Sequence, residues 1–91
     1  MTYAIAEQVV FEVVDGEAVL LDLDSGTYFK LNGVGARTWQ LLEAGPRSLS
    51  ELAEVLVQEF EVTPEVLVGD LEVLLSELSD AGLVRTSSRA G

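Results

Sequence analysis

The side chains of this chain that could do acid–base or metal chemistry are carboxylates. Sixteen Asp and Glu stand against five Lys and Arg, while Cys and His are both absent. Two acid pairs, Asp15 with Glu17 and Asp22 with Asp24, flank predicted turns and lack the multiple ligand positions of a calcium loop. No serine has a histidine or a nearby lysine to activate it. We therefore expect no catalysis, no metal site and no cofactor, and we interpret the acid pairs as turn and solubility residues.

The charge of the chain narrows the class of partner. A net charge of −11 repels phosphate backbones and anionic membrane surfaces. Between Ser48 and Val84 there are nine acidic residues and no Lys or Arg, which argues against a DNA-reading helix. We expect no secretory signal, and no stretch of the sequence reaches the roughly 18 consecutive apolar residues of a membrane span. We expect a cytoplasmic protein with a neutral or basic partner, not a nucleic acid or a membrane.

The pattern of apolar and polar residues changes along the chain from a strand type to a helix type. The first part alternates apolar and polar residues between turns, which predicts strands over 9–14, 18–23 and 27–31, with Asp15-Gly16 as a hairpin turn. The second part has helical periodicity. It predicts helices over 34–43, from the capping box of Ser48 and Glu51 to Phe60, and from Pro64 to 81.

Together these elements predict an α+β, winged-helix-like fold, in which a three-stranded antiparallel sheet is followed by a three-helix bundle. Gly82 is expected to end the third helix, and Leu83 and Val84 to pack back on the core. We expect one domain over 1–85 and a disordered tail over 86–91.

The third predicted helix carries more apolar surface than one buried stripe requires. Its core stripe has helical spacing and consists of Leu67, Leu71, Leu74, Leu75 and Leu78. A second stripe with the same spacing lies on the adjacent face and mixes apolar with acidic residues: Val66, Asp70, Val73 and Glu77. This mixture is typical of a shallow groove wall. The alternative is that Val66 and Val73 only widen the core face and that the acids are solvated.

The predicted strand 27–31 leads directly into the first helix. Alternation puts Tyr28 and Lys30 on one face and Phe29 and Leu31 on the other, and we expect the Leu31 face to be in the core. An edge strand here would have free N–H and C=O groups, so an extended peptide could join the sheet as an added strand. The alternative is a strand that is packed on both faces.

Two further features favour structural roles. Trp39 lies at helical spacing between Val34 and Leu42, so we expect it in the core rather than on a binding surface. Gly33 and Gly35 lack the longer glycine pattern and the lysine of a phosphate-binding loop, so we expect cap and close-packing roles.

Taken together, several short motifs resemble the PqqD-like family, whose members recognise ribosomally made, modified peptides. They are Leu21, Gly26, Tyr28-Phe29, Leu31-Asn32, Gly35, WQLL at 39–42, SEL at 50–52, Phe60, Asp70, Leu78 and GLV at 82–84. The resemblance covers about residues 9–85. It implies a three-stranded sheet packed on three helices that binds the leader segment of a precursor peptide as an added strand.

Carried over by position, the resemblance implies that two sets of residues bind the leader. They are Tyr28, Phe29, Lys30 and Leu31 on the strand, and Val66, Asp70, Val73, Leu74 and Glu77 on the third helix. The chain is most similar to the small proteins of lasso peptide clusters, which deliver a precursor to a separate cysteine protease. The alternatives are a peptide chaperone for a radical enzyme, as in pyrroloquinoline quinone synthesis, and an assembly protein that dimerises through the same edge.

Overall fold

The computed structural model describes residues 1–87, which form two small sheets and three helices. The fold is the mixed α+β, winged-helix-like arrangement that the sequence predicts. In chain order the elements are β1 (Thr2–Ile5), β2 (Val9–Val14), β3 (Glu17–Asp22), β4 (Thr27–Asn32), α1 (Gly33–Glu43), β5 (Arg47–Ser48), α2 (Leu49–Glu59), α3 (Pro64–Asp80) and β6 (Val84–Ser87).

The first sheet is the predicted one and has the order β2-β3-β4, all antiparallel. Asp15 and Gly16 both have positive φ, 52° and 77°, which is the two-residue turn that matches the twist of a hairpin. At the next turn the carboxylate of Asp22 accepts hydrogen bonds from the Asp24 N–H and the Ser25 hydroxyl. These local turns set the register of all three strands and leave β4 at one edge of the sheet.

The helix starts follow the predicted signals only in part, because a side chain caps α2 but not α1 or α3 within residues 1–87. In α2, Ser48 and Glu51 exchange the two hydrogen bonds of a capping box, and the bond from the Ser48 backbone N–H holds the pKa of Glu51 below its ordinary value. Asn32 and Thr63 have the extended backbone of N-cap residues, but neither side chain accepts a capping bond within residues 1–87.

At the end of α3, the Leu83 N–H donates to the Leu78 carbonyl and the Gly82 N–H to that of Ser79. This is a Schellman motif, which requires the positive φ of Gly82.

The second sheet, β5-β1-β6, was not predicted. Its strands have only two to four residues and join both ends of the described chain, as Thr2 pairs with Ser48 on one side and Ser87 on the other. Thr86 and Ser87, which we expected in a disordered tail, are therefore strand residues. The rest of that predicted tail, residues 88–91, lies outside the described part.

The core lies between the inner face of β2-β3-β4 and the three helices. Trp39 is fully buried as expected, and its ring meets that of Phe11 edge to face with centroids 5.6 Å apart. Leu83 and Val84 are also buried, as predicted. Among residues 1–87, no helix is both long and apolar enough to cross a membrane.

Candidate functional site: a groove between β4 and α3

The β4 edge carries main-chain groups that β3 does not use. In a hairpin with a two-residue turn, the residues that flank the turn form a hydrogen-bonded pair, and such pairs alternate along the strands. Glu17 and Val19 therefore bond to β2, so Ala18 and Leu20 bond to β4. It follows that Leu31 and Phe29, their partners in β4, are tied to β3. The N–H and C=O groups of Tyr28 and Lys30 then point outward along the open edge.

An open pocket of about 270 Å³ lies where this edge meets α1 and α3. Its lining residues come from all three elements: Lys30, Leu31, Asn32, Val34, Gly35, Asp70 and Leu74. Leu31 and Leu74 are half-buried and pack against the core, whereas Lys30 and Asp70 are exposed at the rim. The arrangement is an apolar pocket with a polar border, next to main-chain donors and acceptors of β4 that no strand within residues 1–87 pairs with.

Beyond this pocket, α3 exposes the second stripe of the sequence analysis. Val66 is 55% exposed and Val73 is 61% exposed, so neither residue widens the core. Asp70 and Glu77 are exposed on the same side, while the core face buries Leu67, Leu71, Leu75 and Leu78 almost completely. Of this stripe only Asp70 lines the pocket, and Val66, Val73 and Glu77 lie on the same exposed face of the helix.

The predicted strand residues do not all face this pocket. Leu31 and Lys30 line it, but Tyr28 is 69% exposed on the outer face of the sheet, beside Val10, Val19 and Leu21. Phe29 is on the inner face and packs against the core. The edge therefore presents the main chain of Tyr28, while its side chain points elsewhere.

Sequence reasoning did not assign three of the lining residues, Asn32, Val34 and Gly35, to the groove. Of these three, Gly35 was singled out by the sequence analysis, because this glycine was expected to have a cap or close-packing role. In the structure Gly35 lies next to both leucines of the pocket, but without crowding: a Cβ added there would make ordinary contacts, 3.5 Å from Leu31 Cβ and 3.9 Å from Leu74 Cδ1.

The charges around the groove are mostly acidic and exposed. Lys30 Nζ lies 3.3 Å from a carboxylate oxygen of Glu17 on the outer face. Within residues 1–87, neither Asp70 nor Glu77 forms a salt bridge, and no group of three or more acids could hold a metal ion. The other ion pair, Arg37 with Glu59, joins α1 to α2. Its hydrogen bonds hold the pKa of Glu59 below the ordinary value.

Fold and groove together define a small winged-helix-like domain whose open strand edge runs beside an exposed helix stripe. The family model of Coenzyme PQQ synthesis protein D (PqqD) matches residues 17–84. The chain therefore belongs to the PqqD family, as its motifs suggested. A search of curated protein sequences finds no match.

Two solved structures are similar to nearly the whole chain. TbiB1 in complex with the TbiA(beta) leader peptide is 35% identical with a TM-score of 0.86, and the match covers 94% of this chain and 99% of that one. A lasso peptide synthetase B1 complexed with the leader peptide is 28% identical with a TM-score of 0.80, covering 92% and 98%. Both relatives are leader-peptide complexes.

Proposed function

We propose that this protein binds the leader segment of a ribosomally made precursor peptide of the lasso type. The observation that carries the proposal is the juxtaposition of an open β4 edge with an apolar pocket and an exposed α3 stripe. An added strand gains affinity from main-chain hydrogen bonds and gains selectivity from side-chain pockets. The two similar leader-peptide complexes support this assignment, since they match over almost their full length.

In this proposal the leader runs along β4 and bonds to the outward main-chain groups of Tyr28 and Lys30. One apolar leader side chain enters the pocket between Leu31 and Leu74, while other side chains lie along the exposed stripe of α3. The acids Asp70 and Glu77 favour a leader with Lys or Arg on that side, mainly by steering encounter. Phe29 supports the strand from the core side.

The protein acts without covalent chemistry of its own and delivers the precursor to a separate enzyme. Holding the leader near that enzyme raises the local concentration of the precursor and fixes which residues reach the active site. We infer that the enzyme is a leader peptidase of the cysteine protease type. Since the precursor is made on ribosomes, we place this binding in the cytoplasm.

A titration of fluorescently labelled leader peptides tests the proposal. The probes are the TbiA(beta) leader, a leader of the pyrroloquinoline quinone precursor type, and a scramble of each. As protein is added, we expect the anisotropy of the labelled lasso-type leader to rise to a plateau and the anisotropy of each labelled scramble to stay unchanged. Binding of the quinone-type leader alone would favour a chaperone for a radical enzyme. Equal binding of leaders and scrambles would reject leader recognition.

The open edge also favours a second candidate, an assembly protein that pairs β4 with its copy in a homodimer. Light scattering of the free protein and of the leader complex separates the two. A dimer that dissociates as the leader binds shows that both use β4, whereas a dimer that persists and excludes the leader supports the assembly role.

A further inference from the structure

The pocket contains a helical glycine that the backbone does not require. Gly35 is the third residue of α1 and does not have positive φ, unlike Gly16, Gly26 and Gly82. A residue with a side chain can adopt this conformation, and alanine favours a helix over glycine. The presence of glycine here therefore needs another reason.

Crowding does not supply that reason. A Cβ at Gly35 would lie 3.5 Å and 3.7 Å from Leu31 Cβ and Cδ2, and 3.9 Å from Leu74 Cδ1. These are ordinary van der Waals separations, so an alanine fits without displacing its neighbours. The added methyl group would instead occupy the space between the two leucines, both of which line the pocket.

We propose that Gly35 sets the depth of the side-chain pocket in the leader groove and so selects the size of the leader residue that enters it. The inference rests on the proposed function. With glycine, the floor of the pocket is helix backbone, and a large branched or aromatic apolar side chain reaches it between Leu31 and Leu74. With alanine, only a smaller side chain reaches the same depth.

The chain provides a matched control in Gly69 of α3. Gly69 is also helical with no positive φ, but an added Cβ there meets no atom within 4 Å. It lies near the start of α3, beside Glu65 and Glu72, and does not line the groove pocket. Gly35→Ala and Gly69→Ala therefore make the same chemical change, one inside the pocket and one outside it.

The experiment is a selection from random short peptides displayed on mRNA, performed with the wild type and both variants. We expect the wild type and Gly69→Ala to enrich a large apolar residue at one fixed position. Gly35→Ala should enrich a smaller residue at that position and bind the best wild-type peptide at least about 10-fold more weakly, the usual effect of one methylene in a pocket. Circular dichroism should show the same helix content in all three proteins.

Thermal unfolding separates this effect from damage to the fold. Gly69→Ala should raise the midpoint by roughly 4–8 °C, and Gly35→Ala, in the first turn, by less. Identical size preference and affinity in Gly35→Ala and the wild type would overturn the role of Gly35 and leave leader binding intact. No enrichment by the wild type would instead reject the proposed function, and the role of Gly35 with it.

Discussion

The two faces of α3 differ in what they do for the molecule. One face buries Leu67, Leu71, Leu75 and Leu78, none of which is more than 5% exposed. The neighbouring face leaves Val66 and Val73 more than half exposed and intersperses them with Asp70 and Glu77. Both faces have the same helical spacing, so periodicity alone does not distinguish a core stripe from a groove wall.

This difference implies that stability and recognition can be altered separately on one helix. The core face of α3 packs against α2 and β6, so folding itself removes its leucine side chains from solvent. The neighbouring face is exposed, and in the proposed function the leader covers it. Substitutions on the first face should therefore change the free energy of unfolding, and substitutions on the second should change binding.

The largest expected effect tests the core face. Leu71→Ala removes a fully buried side chain and should lower the free energy of unfolding by about 2–5 kcal/mol. Its matched control is Val73→Ala, two residues along, which should change stability by no more than about 0.5 kcal/mol because Val73 is exposed. Urea unfolding followed by circular dichroism measures both. Similar losses for the two variants would contradict the division between the faces.

The next prediction tests the strand edge beside the groove. Lys30→Pro removes an N–H that points away from β3, so the sheet should keep its ladder while an added strand loses a donor. We expect leader affinity to fall by about 10-fold or more, the cost of a main-chain bond together with the intrusion of the ring.

The control for the edge is Lys30→Ala, which keeps the N–H and removes the side chain that pairs with Glu17. Its leader affinity should stay close to that of the wild type, because the Lys30 side chain pairs with Glu17 on the outer face and the proposed added strand uses only the main chain of Lys30. If Lys30→Ala weakened binding as much as Lys30→Pro, the side chain rather than the strand edge would be responsible.

A smaller effect is expected from the acids of the groove wall. Asp70→Arg reverses a charge at the rim of the pocket and should weaken a basic leader several-fold, mostly through slower association. Glu72→Arg makes the same reversal outside the pocket and should matter less. Stopped-flow association at low and high salt measures both, since added salt should shrink the difference. Equal effects would mean that overall charge, not the groove, steers the leader.

Much of the fold could be predicted because its signals are local. The hairpin turn at Asp15-Gly16, the capping box of Ser48 and the stop at Gly82 each act within a few residues, and all three occur in the structure. The sheet β5-β1-β6 depends on pairs such as Thr2 with Ser87, which are far apart in sequence. Strands this short have no alternation to detect, so only the tertiary structure reveals them.

The groove was only partly predictable for a similar reason. Alternation placed Leu31 and Phe29 on the core side, and helical spacing put Val66 and Val73 on a face next to the leucines, but only their exposure in the structure shows that this face is not core. The pocket itself needs α1 as a third wall, and no local pattern brings Gly35 against Leu74. Strand alternation alone also could not show which main-chain groups of β4 are free.

The smallest expected effect concerns an acid that belongs to the scaffold rather than the groove. Glu59 accepts two hydrogen bonds from Arg37, at 2.7 and 3.0 Å, and these hold its pKa below the ordinary carboxylate value. A lowered pKa in the folded state stabilises the fold above about pH 4.3, and this contribution disappears as the pH falls through the folded-state pKa. Glu59→Gln should therefore lower the midpoint of thermal unfolding slightly at pH 7, and the gap to the wild type should close toward pH 3.

The control is Glu61→Gln, which removes an acid without a salt bridge among residues 1–87 and should show no such gap. Leader affinity should be unchanged in both variants, in contrast to Asp70→Arg. A gap that persisted at pH 3 would show that the pair acts by packing rather than by charge, and a loss of binding would extend the recognition surface beyond the groove.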